Sequence, residues 1–197
     1  MLGEHNVQNC LAAISICLEM AIDPEIILSG LRQFKGVGRR FDFKGETDGI
    51  TIIDDYGHHP VEIRAALSAG RMRAEQNKLI AVVQPHRYSR LRDLFSDFCA
   101  CFNDADHVVV ADVYPAGEDP IEGFEKEDLA EGLRAWGHRS VHVLSGPKAL
   151  AEQIDKLASS GDLVMCLGAG TVTAWAAALP ERLAELRNTP LVTEAGQ

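Results

Sequence analysis

Short runs of apolar, β-branched residues alternate with helical apolar periods along most of this 197-residue chain. This alternation predicts an α/β fold, in which a mostly parallel sheet of about six strands is covered by helices on both faces. The first two runs stand too close together for a helical crossover, so we expect one antiparallel edge strand. The expected strands are 41–44, 50–53, 79–83, 107–111, 141–144 and 163–167.

Two helices are expected before the sheet. The first carries an apolar stripe at helical spacing, which consists of Val7, Leu11, Ile14 and Leu18. The second begins at Asp23-Pro24, since aspartate caps a helix and proline suits its first position. A basic, glycine-containing segment follows at 36–40, where the composition changes, and we place a domain boundary after residue 36.

Two later helices are also predicted from the sequence. One amphipathic helix is predicted by a series of apolar residues at helical spacing, namely Leu91, Leu94, Phe95, Phe98 and Phe102. Another is expected to follow Gly170 and to stop at Pro180, because proline has no N–H to continue a helix.

The charge balance and the lack of long apolar stretches exclude several classes of protein. With 19 Lys and Arg against 29 Asp and Glu, the formal net charge is −10, which argues against a nucleic-acid partner. The apolar runs are far shorter than the ~20 residues that span a membrane, and the N-terminus lacks a secretory pattern. The five cysteines are odd in number and lie in apolar stretches. We therefore expect a cytoplasmic protein in a reducing compartment, without a membrane partner.

Polar residues follow four of the expected strands directly. These segments are 54–60, 84–92, 112–118 and 168–171. Because ligands bind beyond the carboxyl ends of the strands in an open α/β sheet, parallel strands would bring these four loops to one edge. The sequence therefore predicts a ligand site at that edge.

The loop after the third expected strand points to an anionic ligand. It holds Arg87, Arg90 and Arg92 and no acidic residue, in a chain that is acidic overall. The planar arginine fork binds carboxylates and phosphates through two hydrogen bonds, whereas cations at a helix N-terminus are otherwise disfavoured. The glycine turn at 168–170 has two interpretations: it brings N–H groups to an anion, or it is a simple tight turn.

Two amides on the first helix are arranged to contact a nucleotide base. Asn6 and Asn9 are three residues apart and share one face of the helix. Each amide offers a donor and an acceptor, which match the amino and ring nitrogens of adenine. Helix capping is the alternative, and it explains one asparagine better than two.

Taken in their order along the chain, these segments resemble the C-terminal part of the Mur ligases, a family of bacterial peptidoglycan synthesis. The matching motifs are Gly3-x-His5-Asn6-x-x-Asn9, Gly38-Arg39-Arg40-Phe41-Asp42, Asp54-Asp55-Tyr56-Gly57-His58-His59-Pro60, Gln84-Pro85-His86-Arg87-Tyr88, Asp112-Val113-Tyr114-Pro115-Ala116-Gly117-Glu118 and Gly168-Ala169-Gly170. The resemblance covers nearly the whole chain, from residue 3 to about 187. The segment 84–90 looks like that of the alanine-adding member of the family.

The resemblance implies a Rossmann-like C-terminal domain over residues 37–197. The last two helices of a central ATPase domain would precede it over residues 1–36. The phosphate-binding sequence Gly-x-x-x-x-Gly-Lys-[Ser/Thr] does not occur in the chain. We therefore expect a piece of a longer enzyme, inactive alone, whose missing partners are a UDP-binding domain and the rest of the central domain.

The reaction implied by the resemblance joins L-alanine to the lactyl carboxylate of UDP-N-acetylmuramate. ATP first phosphorylates that carboxylate, and the amine of alanine then displaces phosphate from the acyl phosphate. The implied cofactors are ATP and Mg²⁺, with the magnesium ligands expected in the missing central domain. We expect no metal ligand among the residues of this chain.

The resemblance also implies roles for individual residues. Those expected to bind ATP are His5, Asn6 and Asn9 at the adenine, Arg40 at the phosphates and Asp55 at the ribose. Arg40 is the expected catalytic residue, since its charge would stabilise the transferring phosphoryl group, whereas Arg39 is expected to be solvated. Those expected to surround alanine are Arg87 and Arg90 at its carboxylate, with Tyr56, His58, His59 and His86 nearby.

Two other functions stay open at the level of the sequence. One is a stand-alone Rossmann-like module that binds a nucleotide or an anion without catalysis. The other is a metal-dependent hydrolase with Asp55, His58 and His59 as ligands, although adjacent residues rarely reach one ion together. Pro60 after a polar loop is also typical of an ordinary helix start.

Overall fold

A computed structural model describes residues 4–34, 36–188 and 191–192, with backbone alone at positions 4, 5, 191 and 192. Its helices are α1 (Glu4–Glu19), α2 (Pro24–Gln33), α3 (Pro60–Ala74), α4 (Tyr88–Asp93), α5 (Phe95–Ala100), α6 (Lys126–Trp136), α7 (Leu150–Leu157) and α8 (Val172–Arg187). Its strands are β1 (Asp42–Thr47), β2 (Ile50–Asp55), β3 (Leu79–Val83), β4 (His107–Val110), β5 (Val141–Val143), β6 (Leu163–Leu167) and β7 (Leu191–Val192). A short 3₁₀ turn, Pro147–Ala149, precedes α7.

The strands form one sheet in the order β5-β4-β3-β6-β2-β1-β7. Neighbouring strands from β5 to β2 are parallel, while β1 runs antiparallel to β2. The predicted α/β class and the antiparallel pair are therefore confirmed. The two-residue strand β7 pairs outside β1 as a seventh strand, so β1 lies one position in from the edge.

Helices cover both faces of the sheet, and consecutive strand residues point to opposite faces. On one face, Ile53 of β2 packs in a buried cluster with Leu67 of α3 and Phe98 of α5. On the other face, its neighbour Ile52 belongs to a second cluster that includes Leu183 of α8. The sheet is therefore buried on both sides, as the near-continuous apolar strands predict.

Two helix predictions are wrong. The series from Leu91 to Phe102 forms two short helices, because Leu94 leaves the helical conformation with φ −118°. The helix α8 continues through Pro180 to Arg187. Proline in a helix interior costs about 3 kcal/mol, but burying a leucine side chain contributes about 1.5–3 kcal/mol. Since Leu179 and Leu183 on either side are both buried, packing outweighs the lost hydrogen bond.

The apolar stripe that predicts α1 lies largely on the surface. Val7, Leu11 and Leu18 are 58%, 56% and 52% exposed, and α2 contains no buried side chain. The two helices therefore do not belong to the core around the sheet. None of the helices described is long and apolar enough to cross a membrane.

Two histidines share one serine at the amino-terminal edge of the sheet, opposite the polar loops. The Ser140 hydroxyl lies 2.7 Å from Nδ1 of His107 and 2.9 Å from Nε2 of His142. Burial lowers the pKa of both imidazoles. The charges of His142 and Lys78 lower the pKa of His107 further, and the charge of Arg134 lowers that of His142. Both rings are therefore held in the neutral form, which suits two contacts to a single hydroxyl.

This histidine pair makes the fold sensitive to mild acid. In the unfolded chain each imidazole takes up a proton near the ordinary pKa of 6.5, whereas the folded state resists it. Stability is therefore complete above that value and falls as the pH drops below it. We expect the Tm to decrease from pH 7.5 to pH 5.5, and to decrease less in the H107Q/H142Q double variant. An equal decrease in the double variant would contradict this assignment.

Candidate functional site

The four polar loops lie together at the carboxyl edge of the sheet, as the sequence predicts. Backbone hydrogen bonds join the loops directly to one another. The Gly168 amide donates to the Asp55 carbonyl over 3.1 Å, which links the end of β2 to the loop after β6. The Tyr114 amide donates to the Pro85 carbonyl over 2.8 Å, which links the loops after β3 and β4. The site is therefore assembled from loops that are hydrogen-bonded to one another at the strand ends.

A row of ring side chains runs across this edge from one loop to the next. The Tyr56 and His58 rings meet edge to face with centroids 5.1 Å apart. His58 meets His86 in the same manner at 5.7 Å, and His86 stacks on Tyr114 at 5.3 Å. Three of the residues expected around alanine are therefore brought into contact, although they come from two separate loops.

His86 sits in a positively charged environment. Burial lowers its pKa, and the charges of His58, Arg90 and Arg87 lower it further. The Arg90 guanidinium donates to the His86 carbonyl over 2.8 Å and lies 3.3 Å from Nδ1 of that ring. His86 is therefore neutral at physiological pH, and one nitrogen of Arg90 is used to fix the loop.

Arg87 projects from a constrained backbone position. Its φ of +74° is in the left-handed region, and its amide donates to the Tyr114 carbonyl over 2.8 Å. The side chain is 49% exposed, and its Nη1 is 3.6 Å from a carboxylate oxygen of Glu118. This distance exceeds a hydrogen bond, so the guanidinium keeps donors for a ligand.

Glu118 is a residue that the sequence reasoning missed. Its carboxylate accepts hydrogen bonds from the Ser89 hydroxyl at 2.6 Å and the Ser89 amide at 2.9 Å. These bonds, with the charge of Arg87, lower its pKa. Its position at the end of the segment after β4 was the available signal, but nothing in that segment indicates that Glu118 pairs with Ser89.

A cavity of about 600 Å³ lies beside this edge, between the two N-terminal helices and α3. Asn6 and Asn9 lie in one wall, and Asn6 is only 6% exposed. Apolar side chains, among them Leu31, Phe34 and Val61, form much of the remaining wall. Such a cavity suits a flat, largely apolar ring that also needs amide hydrogen bonds. The side chain of His5 lies outside the part of the chain described.

Three charged residues also line the cavity. They are Arg40, Asp55 and Glu62. Asp55 is nearly buried, and its carboxylate accepts from the Phe41 and Gly57 amides, each at 2.8 Å. Asp55 therefore anchors the linker that carries Arg40, whose guanidinium carbon is 5.8 Å from the Tyr56 ring centroid.

His59 caps the amino-terminal end of α3. Its Nδ1 accepts from the Val61 amide at 3.4 Å, while the His58 and His59 amides donate to Glu62 at 3.1 and 3.2 Å. Burial alone would raise the pKa of Glu62, but these bonds and the charges of His58 and Arg40 hold it below its ordinary value. His59 thus has the helix-start role that Pro60 also indicates.

The hydrolase alternative finds no support in this arrangement. Among the residues that the structure describes, no group of three or more His, Cys, Asp or Glu side chains is placed to hold a metal ion. Both carboxylate oxygens of Asp55 face backbone amides, and His59 is turned to the helix start.

The glycine turn after β6 is explained by close packing. A methyl group on Gly170 would lie 2.5 Å from the Gln84 side-chain oxygen and 2.7 Å from the Tyr114 ring. The same Gln84 oxygen accepts from the Val172 amide at the start of α8 over 3.0 Å. Because the protein itself occupies this helix start, the tight-turn interpretation is favoured over an anion site.

Together, the fold and the site define an α/β domain with its ligand edge at the carboxyl ends of the parallel strands. A family model described as the Mur ligase, glutamate ligase domain matches residues 39–170. The chain therefore belongs to the Mur ligase family.

Named relatives agree with this assignment. Over 183 residues the chain is 61% identical to the UDP-N-acetylmuramate–L-alanine ligase of Rhodospirillum rubrum, covering 93% of this chain and 38% of the relative. It is 57% identical over 197 residues to that of Gluconacetobacter diazotrophicus, covering all of this chain and 41% of the relative. The crystal structure of UDP-N-acetylmuramate-alanine ligase from Thermotoga maritima superimposes with a TM-score of 0.76 at 27% identity, over 95% of this chain and 39% of that one. The chain thus spans about two fifths of the length of these relatives.

Proposed function

We propose that this chain is the amino-acid-binding part of an ATP-dependent ligase that joins L-alanine to UDP-N-acetylmuramate. The observation that carries the proposal is the gathering of Tyr56, His58, His86 and Arg87 at one sheet edge, beside a cavity lined by Asn6. The relatives named above carry this reaction in their names, and the chain belongs to their family.

The proposal includes a division of the chain at residue 36. Residues 37–197 form the Rossmann-like C-terminal domain, and residues 1–36 are the last helices of a central ATPase domain. The family match over 39–170 supports this division, as does the exposed apolar stripe of α1. Since the phosphate-binding sequence does not occur in these 197 residues, we assign it and the UDP-binding region to other parts of a cytoplasmic enzyme.

The nucleotide is proposed to occupy the cavity. The amides of Asn6 and Asn9 would meet the adenine edge, with His5 on the same helix, while the apolar walls would hold its faces. A volume of about 600 Å³ is within the range of sites for ligands of this size. Arg40 would reach the phosphates, and Asp55 would hold the linker and orient the ribose.

The chemistry proceeds in two transfers. The lactyl carboxylate oxygen takes the γ-phosphoryl group of ATP, giving an acyl phosphate and ADP. The amine of L-alanine then attacks the acyl carbon, the C–O bond to phosphate breaks, and the amine loses a proton as the amide forms. Arg40 would stabilise the negative charge of the transferring phosphoryl group. Enzymes accelerate phosphoryl transfer mainly by such electrostatic stabilisation and by positioning the reactants.

The alanine subsite is proposed to lie beside the row of ring side chains that runs from Tyr56 to Tyr114. Arg87 and Arg90 would bind the alanine carboxylate, with Tyr56 and His58 around the amino acid, while His59 caps the start of α3 beside them. A neutral His86 adds no positive charge beside the alanine amine. Mg²⁺ would accompany ATP, and we assign its ligands to the central domain, as the resemblance to the family implies.

A chimera tests the proposed function. This chain replaces the matching 183-residue segment of the Rhodospirillum rubrum ligase, with which it is 61% identical. We expect the chimera to release phosphate from ATP only when L-alanine and UDP-N-acetylmuramate are present, and the isolated chain to release none. A folded but inactive chimera would overturn the ligase proposal and favour the binding-module alternative. Turnover by the isolated chain would overturn the proposed division of domains.

A further inference from the structure

The Arg39 side chain contacts two separate parts of the ligand edge, the end of β2 and the loop after β6. Its Nη2 donates to the Gly168 carbonyl over 2.6 Å, and its guanidinium carbon lies 4.7 Å from the centre of the Tyr56 ring. Its Nε is 3.6 Å from the Asp54 carboxylate. The side chain is only 28% exposed, so the expectation that Arg39 is solvated is wrong.

Asp54 supplies the negative charge beside this guanidinium. The carboxylate is fully buried at the end of β2, where it accepts from the Thr173 hydroxyl over 2.6 Å. Its second oxygen and the Arg39 Nε are buried without a hydrogen-bond partner among the described residues. A buried carboxylate requires a nearby cation, and Arg39 at 3.6 Å is closer than Lys44 at 3.9 Å.

The backbone on both sides of Arg40 is held in an unusual conformation. Arg39 and Phe41 have φ values of +60° and +51°, in the left-handed region that non-glycine residues rarely adopt. Each such residue costs of the order of 1–3 kcal/mol and persists only where its surroundings enforce it. Here the Tyr56 amide donates to the Arg39 carbonyl at 2.7 Å, and the Phe41 amide donates to Asp55 at 2.8 Å.

We infer that Arg39 is a positioning residue, which fixes the linker so that Arg40 is held at the wall of the cavity. This inference rests on the proposed function, since Arg40 is the residue assigned to the transferring phosphoryl group. Arg39 itself turns away from the reactants, toward Asp54 and Gly168. Arg39 therefore affects the reaction indirectly: it holds Arg40 in place, and it packs over one face of the Tyr56 ring.

The isolated chain provides a test that does not depend on activity. In the ¹⁵N-labelled protein, R39K keeps the charge but loses the planar fork that reaches both Gly168 and Asp54. We expect the order parameter of the Arg40 amide to fall from about 0.85 toward 0.6 or lower, the value of a flexible backbone. The surface variant R73K is the matched control and should leave it unchanged. An unchanged Arg40 amide in folded R39K overturns the inference.

The chimera adds a kinetic test. A small displacement of a reacting group lowers the rate strongly, so R39K should lower kcat about tenfold, while KM for ATP changes less than about twofold. R73K should match the unsubstituted chimera. If R39K keeps its kcat, or if kcat and both KM values change together with a lowered Tm, the positioning role is overturned. An inactive unsubstituted chimera overturns the proposed function instead, and the amide measurement still decides the role of Arg39.

Discussion

Replacing Arg40 with methionine is expected to lower the kcat of the chimera about a thousandfold, since arginines that stabilise a transferring phosphoryl group contribute 10³–10⁵ in rate. Arg40 is exposed and lines the cavity, and the anchored neighbours Arg39 and Phe41 fix its backbone. Its charge matters most when negative charge moves between oxygens, so KM for ATP should rise far less than kcat falls. Steady-state phosphate release at varied ATP measures both constants.

Two further variants make the Arg40 result specific. R40K keeps a positive charge without the planar fork, so its kcat should lie between those of the unsubstituted chimera and R40M. R73M removes a surface arginine and should have no effect. A kcat for R40M equal to that of R73M would remove Arg40 from the proposed mechanism.

Replacing Arg87 with alanine is expected to raise KM for L-alanine about a hundredfold. Hydrogen bonds to charged groups contribute about 1.5–3 kcal/mol, and a loss of about 2.7 kcal/mol corresponds to a hundredfold change in affinity. The Arg87 guanidinium is half exposed, and its distance of 3.6 Å from Glu118 exceeds a hydrogen bond, so it keeps donors for a carboxylate ligand. KM for ATP should change less than about twofold, because the nucleotide cavity lies at the other end of the row of rings.

The same loop supplies a control for Arg87. Arg92 lies on α4, is 48% exposed and pairs with Asp93 at 2.8 Å, so R92A should leave both KM values unchanged. R87K tests whether charge alone holds the carboxylate, and it should recover only part of the lost affinity. If R87A leaves KM for alanine unaltered, or raises both KM values equally, its assignment to the amino acid is wrong.

Local signals predicted the sheet and its ligand edge well. The strands at 79–83 and 163–167 are confirmed at both ends, because polar loops border short apolar runs that are buried on both faces. The parallel order then brings four loops together without any further information. By contrast, β2 extends to Asp55, so the two aspartates expected in the loop are strand residues.

The roles that the sequence did not predict depend on contacts between distant parts of the chain. Arg39 bonds to Gly168, which is 129 residues away, and nothing in its own segment distinguishes it from a solvated arginine. Gln84 occupies the start of α8 across 88 residues, which decides between the two interpretations of the glycine turn. The helix α8 continues past Pro180 because residues on both sides of it are buried against the sheet.

Only one feature of the cavity follows from the sequence. The spacing of Asn6 and Asn9 correctly places both amides on one wall. The opposite wall depends on how α1 and α2 pack beside α3, which brings Leu31 and Phe34 near Val61. Periodicity predicts that these helices exist, but it carries no information about the angle at which they meet.

The central claim is that the carboxyl edge and its cavity form the ligand surface, with separate places for nucleotide and amino acid. Amide chemical shifts of the ¹⁵N-labelled chain, titrated with ATP and then with L-alanine, test it directly. We predict that ATP moves the signals of Asn9, Leu31 and Arg40, and that L-alanine moves those of His86 and Arg87. Shifts centred instead on the amino-terminal edge of β4 and β5, where the two histidines share a serine, would contradict the account.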